Sequence, residues 1–248
     1  MLKLEAELKN DYCFTWDSSC LCVFSLRSNG SMSFPGNDKQ QVIQARRQFL
    51  QRCGIELEEL VCANQIHGCQ IVRIDTPDKG KGAFDKATAI DSTDALITNQ
   101  RRIAIGVLTA DCLPITLYDP DTKSIGIIHA GWRSTLQRIT SLTIERMQQE
   151  FKSNPKNLRV FLGPALRCCC YQVKEEFLEI FPEQTSIKNG KLWFDLVAAN
   201  VSQLVSLGVE NEHIVDCRLC TSCRKDLFFS YRKEGSTSSR FMSVVMLL

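Results

Sequence analysis

Short apolar runs of four to eight residues, rich in Val, Ile and Phe, recur along the chain. Runs of this length, bounded by turn-forming residues, are typical of buried β-strands. They predict strands at residues 20–26, 70–74, 94–98, 103–108, 113–118, 124–130, 159–163, 227–231 and 241–247.

Four segments between these runs repeat apolar residues with the period of a helix. Gly54 follows the first segment, Pro155 the second and Gly208 the fourth, and these are helix stop signals. The segments predict helices at residues 39–52, 134–151, 173–181 and 194–207. Because strands come mostly first and mix with helices later, the order favours an α+β domain over a strict βαβ repeat.

Two stretches rich in turn formers and charge, residues 27–38 and 75–94, interrupt this pattern. A long loop inside a compact domain often carries function, and a mobile surface loop is the alternative. Since neither stretch resembles a linker and no internal repeat is present, we expect residues 1–248 to form a single domain.

Composition then narrows the class of protein. The chain has 248 residues, of which 44% are hydrophobic, and this is enough for a sizeable globular core. The formal net charge is +2 and no Lys/Arg-rich block is present, so nucleic acid is not an expected partner. We expect a small molecule instead.

The N-terminus has scattered charges and no apolar stretch typical of an export signal. No window approaches the roughly 18 apolar residues that a membrane span requires. The thirteen cysteines are odd in number, which argues for reduced thiols rather than a secreted disulfide framework. These features predict a cytoplasmic protein without membrane association.

The segment TADCLPITLYDPDTKSIGIIHAGWR, residues 109–133, predicts a β-hairpin whose turn is DPDT. Counting outward from the turn places Cys112 and His129 near the same open end of the hairpin. A thiolate and two imidazoles can bind a catalytic zinc ion and leave its fourth position open. With His67, one of only three histidines, the pair forms a candidate metal site. A buried cysteine and satisfied core histidines are the alternative.

Asp111 lies directly beside Cys112. A carboxylate in this position can orient a metal ligand or transfer a proton. A capping or solvated aspartate is the alternative.

Six motifs occur in a fixed order: NQIHG, DALIT, TADCLPITLYD, IGIIHAGWR, GPALRCCCYQV and CTSCRKDLFFSYRKEG. In order and approximate spacing they resemble the YfiH/YlmD/laccase-domain family, whose members are purine nucleoside phosphorylases formerly regarded as multicopper polyphenol oxidases. The combination of ADCLP with HAGW is the most specific part. The resemblance runs from about Phe24 to the C-terminus.

The resemblance implies a zinc ion bound by His67, Cys112 and His129, with copper possible at the same site. It implies a layered α/β/β/α domain, a mixed β-sheet core flanked by helices, similar to bacterial toxin deamidases that use a Cys-His pair. It also implies phosphorolysis of adenosine, inosine, guanosine and methylthioadenosine, together with deamination of adenosine.

Phosphorolysis requires cationic or amide donors around a phosphate, and Arg27 and Arg133 are the candidates. Arg27 enters a Ser/Gly loop whose amides can cradle an anion, and Arg133 follows HAGW near a predicted helix start. An ordinary surface arginine is the alternative for each. Tyr171, Glu175 and Asn64 lie in or beside the motifs and can line a pocket, although packing and capping explain them equally well.

Cys217, Cys220 and Cys223 form two overlapping C-x-x-C pairs that can bind zinc or an iron–sulfur cluster. A closed site needs a fourth ligand, which residues 168–170 provide only if the fold brings them close. Adventitious oxidation of these thiols is the alternative.

Several other functions compete with nucleoside chemistry. Copper oxidation of polyphenols is disfavoured, because one copper centre with two histidines leaves a single histidine for an oxygen-reducing copper cluster. The remaining alternatives are amide hydrolysis by Cys112 activated by His129, editing of peptidoglycan precursors, and a non-enzymatic interaction module.

Overall fold

The structure is a computed structural model that describes residues 12–235 and 239–248. The strands in these ranges are β1 (Tyr12–Thr15), β2 (Cys20–Phe24), β3 (Leu60–Cys62), β4 (Ile71–Arg73), β5 (Ala95–Thr98), β6 (Ala104–Thr109), β7 (Leu113–Asp119), β8 (Ser124–Ala130), β9 (Arg159–Leu162), β10 (Gln172–Val173), β11 (Thr185–Lys188), β12 (Lys191–Phe194), β13 (Ile214–Asp216) and β14 (Phe241–Leu247). The helices are α1 (Lys39–Arg52), α2 (Trp132–Leu136), α3 (Ile139–Phe151), α4 (Glu176–Ile180), α5 (Leu196–Ser206) and α6 (Tyr231–Glu234).

The strands form two large sheets and one small sheet. The five-stranded sheet has the order β1-β2-β14-β6-β3, and the six-stranded sheet has the order β13-β9-β7-β8-β5-β4. The small sheet is β10-β12-β11. Three pairs, β3–β6, β4–β5 and β13–β9, are parallel and the others are antiparallel, so both large sheets are mixed.

Alternate positions of β2 face two different layers of the core. Cys22 and Phe24 belong to the apolar layer between the two large sheets, whereas Leu21 and Val23 belong to a layer that includes Phe49 of α1. Because residues two apart on a strand point to the same face, a continuous apolar run is buried on both faces. The five-stranded sheet therefore lies between α1 and the second sheet.

The six-stranded sheet divides its side chains in the same way. Ile125 and Ile127 of β8 face the layer between the sheets, and Ile128 packs with Ile144 of α3 and Leu204 of α5. The layers are thus helix, sheet, sheet and helices. This arrangement confirms the predicted α+β, α/β/β/α domain with a mixed β-sheet core.

Eight of the nine predicted strands are present, and the strand predicted at residues 227–231 is wrong. The backbone N–H groups of Leu227 and Phe228 both donate to the carbonyl of Arg224 at 2.9 Å, which makes a turn. Phe228 is fully buried and Phe229 nearly so, in the layer between the sheets. The apolar run therefore marks a buried loop rather than a strand.

The helix predicted at residues 134–151 is interrupted. Arg138, between α2 and α3, has left-handed backbone geometry with φ of 62°. Asn200 of α5 joins the two helices, because its side chain accepts from the hydroxyl of Thr140 at 2.7 Å and donates to that of Thr135 at 3.0 Å. The amphipathic pattern at residues 134–151 thus covers two helices, and the buried side-chain amide of Asn200 links them.

The other three predicted helices are present, and their predicted bounds agree with the structure to different degrees. α1 has the predicted bounds, and α5 lies within the predicted segment. α4 is shorter than predicted at its start, because Val173 instead pairs with Leu192 in the small sheet. Within the part of the chain that the structure describes, no helix is both long and apolar enough to cross a membrane.

Candidate functional site

Three side chains from separate segments meet at the open end of the β7–β8 hairpin. His67 lies in the loop before β4, Cys112 directly precedes β7, and His129 lies in β8. Their ring nitrogens and sulfur lie within 4.8 Å of one another, and the two imidazole planes meet at 71°. The structure therefore brings together the three residues that the sequence identifies as candidate ligands.

The hairpin register explains the position of Cys112. Pro114 pairs with His129, and continuing this register puts Cys112 across from Gly131. A Cβ on Gly131 would lie 3.0 Å from Cδ2 of His67 and 3.1 Å from the sulfur of Cys112. Glycine suits this position because a side chain would press on two of the three candidate ligands.

The carboxylate of Asp94, which is fully buried, holds both histidines. Its Oδ1 lies 2.7 Å from Nδ1 of His129 and accepts from the backbone N–H of His67 at 3.0 Å. Its Oδ2 accepts from the backbone N–H groups of Ile66 at 3.1 Å and Gly68 at 2.8 Å. Since Nδ1 of His129 is engaged, Nε2 is the ring nitrogen available to a metal.

The charges of this group favour a thiolate. Burial opposes ionisation of Cys112, but the charge and hydrogen bond of His129, and then the hydrogen bond of His67, lower the pKa of Cys112 to about 6. Burial likewise disfavours charged His129, but the Cys112 thiolate and the Asp94 carboxylate raise the pKa of His129 to about 9. Without a metal, the pair at neutral pH is thiolate and imidazolium.

This donor set fits an open metal site. Two imidazoles and one thiolate are ligands that zinc accepts, and a site with three protein ligands keeps a fourth position for water or substrate. The same set also accepts copper. The third histidine of the chain, His213, lies elsewhere, with its Nε2 at 4.0 Å from a carboxylate oxygen of Glu212. The chain therefore lacks the histidines for a multicopper centre.

A cavity of about 720 Å³ is lined by the three candidate ligands and by both of the predicted long loops. Arg46 of α1 is 1% exposed and donates to the backbone carbonyls of Met32, Gly82 and Ala83 at 2.6 to 2.9 Å. These bonds tie the loop at residues 27–38 to the loop at 75–94. The two loops therefore form fixed walls of the cavity.

Cationic side chains surround the cavity. Lys86, Arg133, Arg232 and Arg240 all line it. The guanidinium of Arg133 lies 4.4 Å from the centroid of the Trp132 ring, and in the described ranges no carboxylate pairs with it. Excess positive charge in a concave site concentrates anions, so this cavity suits a phosphate-bearing ligand.

Asp111 lines the cavity but does not contact the histidines. Its Oδ1 accepts from the hydroxyl of Thr221 and its Oδ2 from the backbone N–H of Arg232, both at 2.6 Å. Of the two carboxylates, Asp94 is the one that lies within hydrogen-bonding distance of a candidate ligand. A role for Asp111 in proton transfer stays a prediction.

The remaining candidates separate into two groups. Asn64 and Tyr171 line the cavity, whereas Arg27 and Glu175 do not. The guanidinium of Arg27 donates to the carbonyl of Phe228 at 2.8 Å and pairs with Glu234. Arg27 thus holds the segment that carries α6, and its proposed phosphate contact stays a prediction.

Sequence reasoning missed two residues that shape the site and a third that lines it. Asp94 stands inside the DALIT motif and Gly131 inside HAGW, but the motif alone did not assign them a role. The signal that could have identified Asp94 is an aspartate at the start of an apolar run, because a carboxylate that is buried there needs hydrogen-bond partners. Arg232 carried no signal, because α6 reaches the cavity only through the tertiary fold.

Comparisons with known proteins identify the family of this chain. The family model described as multi-copper polyphenol oxidoreductase laccase matches residues 26–248. The chain is 33% identical over 219 residues to purine nucleoside phosphorylase YlmD of Geobacillus stearothermophilus, covering 85% of this chain and 80% of that protein. It is 33% identical over 216 residues to adenosine deaminase RL5 from an unknown prokaryotic organism, covering 84% and 82%.

Solved structures show the same fold. The crystal structure of YlmD from Geobacillus stearothermophilus matches with a TM-score of 0.91 and 28% identity, over 100% of this chain and 99% of that chain. The crystal structure of the hypothetical protein YfiH from Bacillus licheniformis matches with a TM-score of 0.90 and 29% identity over the same shares. The chain therefore belongs to the multi-copper polyphenol oxidoreductase laccase family.

Proposed function

We propose that the protein is a zinc-dependent purine nucleoside phosphorylase with adenosine deaminase activity. The observation that carries the proposal is an open set of three candidate metal ligands, His67, Cys112 and His129, in a cavity that is also lined by Lys86, Arg133, Arg232 and Arg240. The names of the relatives, purine nucleoside phosphorylase and adenosine deaminase, support the same chemistry. The proposed substrates are adenosine, inosine, guanosine and methylthioadenosine.

In phosphorolysis, a phosphate oxygen bonds to C1′ of the ribose while the bond from C1′ to the purine nitrogen breaks. We assign the phosphate to Arg133 and Arg232, because guanidinium groups bind phosphate through paired hydrogen bonds. Trp132 and Tyr171 offer aromatic faces to the planar base from the same cavity. The departing purine carries electron density from the broken bond and requires a proton, for which Asp111 is the candidate donor.

Zinc at the three ligands would supply Lewis acidity and lower the pKa of a water molecule, which is what deamination requires. Two residues of the chain arrange the candidate ligands before any metal binds. Asp94 fixes the ring of His129, and Gly131 leaves space beside the sulfur of Cys112. We also propose a cytoplasmic location, because the cysteines that the structure describes are free thiols.

The test incubates purified protein with adenosine or inosine, with and without phosphate, and separates the products by chromatography. Zinc and copper are measured in the same samples. We expect phosphate-dependent release of adenine or hypoxanthine, which Cys112→Ala abolishes together with about one zinc ion per chain. Arg133→Gln should raise the KM for phosphate more than the KM for nucleoside. A zinc-loaded protein without turnover would refute the proposal for these substrates.

A second candidate function uses Cys112 as a nucleophile towards an amide. The observation that favours it is the hydrogen-bonded pair of Cys112 and His129, whose charges lower the pKa of the thiol. The metal that is lost on Cys112→Ala separates the two proposals, because a thiolate bound to a metal is not free to attack. Editing of a peptidoglycan precursor becomes the next candidate if zinc is bound but nucleosides do not react. Copper oxidation of polyphenols is the weakest candidate.

A further inference from the structure

A second group of possible metal ligands lies outside the cavity lining. The sulfur atoms of Cys169, Cys170, Cys220 and Cys223 all lie within 4.8 Å of one another. The Cys169–Cys223 and Cys170–Cys223 sulfur pairs are 3.7 Å and 3.4 Å apart. The sequence pointed to Cys217 as well, but this thiol is not part of the group and instead lies 3.8 Å from the guanidinium of Arg167.

These separations match a single tetrahedral ion. With zinc–sulfur bonds of about 2.3 Å, the edge of a tetrahedron of sulfurs is about 3.8 Å. The two separations of 3.4 and 3.7 Å are close to this edge and the remaining pairs lie within 4.8 Å, so the four sulfurs can surround one zinc ion. An iron–sulfur cluster would hold the cysteine sulfurs farther apart, because several metal and sulfide ions occupy the space between them.

The backbone supports thiolates at this position. The sulfur of Cys220 accepts hydrogen bonds from the backbone N–H groups of Arg167 and Cys223. Several thiolates so close together repel one another unless a cation neutralises them.

The two cysteine-bearing segments are already aligned by backbone contacts. Ala165 accepts from the N–H of Thr221 at 3.0 Å and donates to the carbonyl of Leu219 at 3.2 Å.

We propose that Cys169, Cys170, Cys220 and Cys223 form a closed structural zinc site, distinct from the open site at His67, Cys112 and His129. Such an ion joins the segment around residues 165–171 to the segment around 219–224. It would act by holding the fold rather than by reacting with substrate, because all four ligand positions are filled by protein.

The consequence for the cavity follows from the neighbours of these cysteines. Tyr171 directly follows Cys170, and the hydroxyl of Thr221, next to Cys220, donates to Asp111. The guanidinium of Arg232 lies 5.3 Å from the Tyr171 ring centroid. A zinc ion at the four cysteines would therefore fix one wall of the cavity that carries aromatic and phosphate-binding groups.

The test uses the Cys112→Ala background, so that the open site and its chemistry do not contribute. Full-length Cys112→Ala is reduced, reconstituted with zinc or cobalt, and freed of excess metal. We expect one tightly bound ion per chain, and for cobalt the thiolate-to-metal charge-transfer bands of a site with four sulfur ligands.

Three further substitutions in that background localise the ion. Cys223→Ser removes an exposed ligand and should abolish these bands and the bound ion, whereas Cys217→Ser in the same loop should retain both. Circular dichroism establishes that each variant is folded, and Cys169→Ser provides a second exposed ligand variant. The proposal is overturned if Cys112→Ala binds no ion, or if Cys223→Ser binds as much as Cys217→Ser. Neither result depends on nucleoside turnover.

Discussion

Replacing Asp94 with asparagine should weaken zinc binding at His67, Cys112 and His129, although Asp94 is not itself a candidate ligand. Asp94 accepts four contacts, one from the His129 ring and three from backbone N–H groups at residues 66–68. The asparagine amide has one oxygen and one NH2 group, so two of these donors would then face another donor.

The size of the effect follows from these contacts. Loss of a carboxylate that orients a histidine ligand weakens metal affinity by about 10 to 100-fold. A buried N–H group without an acceptor costs about 1 to 3 kcal/mol. Because Asp94 is fully buried, we expect the metal-free variant to lose about 2 kcal/mol or more of unfolding free energy.

The assay measures the zinc dissociation constant by competition with a chromophoric chelator, and stability by urea unfolding in the presence of excess chelator. Asp91→Asn is the matched control, because Asp91 is exposed in the same loop and, among the described residues, its carboxylate accepts only from the Asn64 side chain at 3.3 Å. The reasoning is refuted if Asp94→Asn binds zinc within about threefold of the wild-type protein, or if Asp91→Asn weakens binding equally.

Three further predictions follow from the site and its support. Gly131→Ala should fold but bind zinc at least about tenfold more weakly, because its methyl group would press on His67 and Cys112; zinc titration and circular dichroism check this. In metal-free protein, alkylation of Cys112 by iodoacetamide should rise through about pH 6 and level off near neutrality, because its pKa is lowered to about 6; a rate still rising at pH 9, followed by peptide mass spectrometry, would contradict this. Asn200→Ala should lower the unfolding free energy by about 2 kcal/mol, because the buried hydroxyls of Thr135 and Thr140 lose their partner. Urea unfolding measures the change, and an unchanged midpoint would contradict the prediction.

Most of the fold could be predicted because its strands are apolar on both faces. Runs such as residues 113–118 and 124–130 are unambiguous, since a strand buried between two layers carries few polar residues. The exceptions have two causes. The apolar segment at residues 227–231 is buried as a loop, and short strands such as β10 and β13 have too few residues to show a pattern.

The candidate site could likewise be predicted only in part. The hairpin alone places Cys112 and His129 at one end, because its turn fixes the register. The loop of His67 is held at that end by Asp94, whose carboxylate contacts both the backbone N–H of His67 and the ring of His129. Arg232 approaches from a distant segment, so no local spacing could predict it.

The sequence by itself determined the strand-rich α+β domain, the hairpin register and the residue types able to bind a metal. These properties depend on local periodicity and on chemistry that each residue carries alone. Only the tertiary structure decided which carboxylate supports the histidines and which four of the cysteines come together. Such choices depend on contacts between segments far apart in the chain, and the packing of the whole domain sets those contacts.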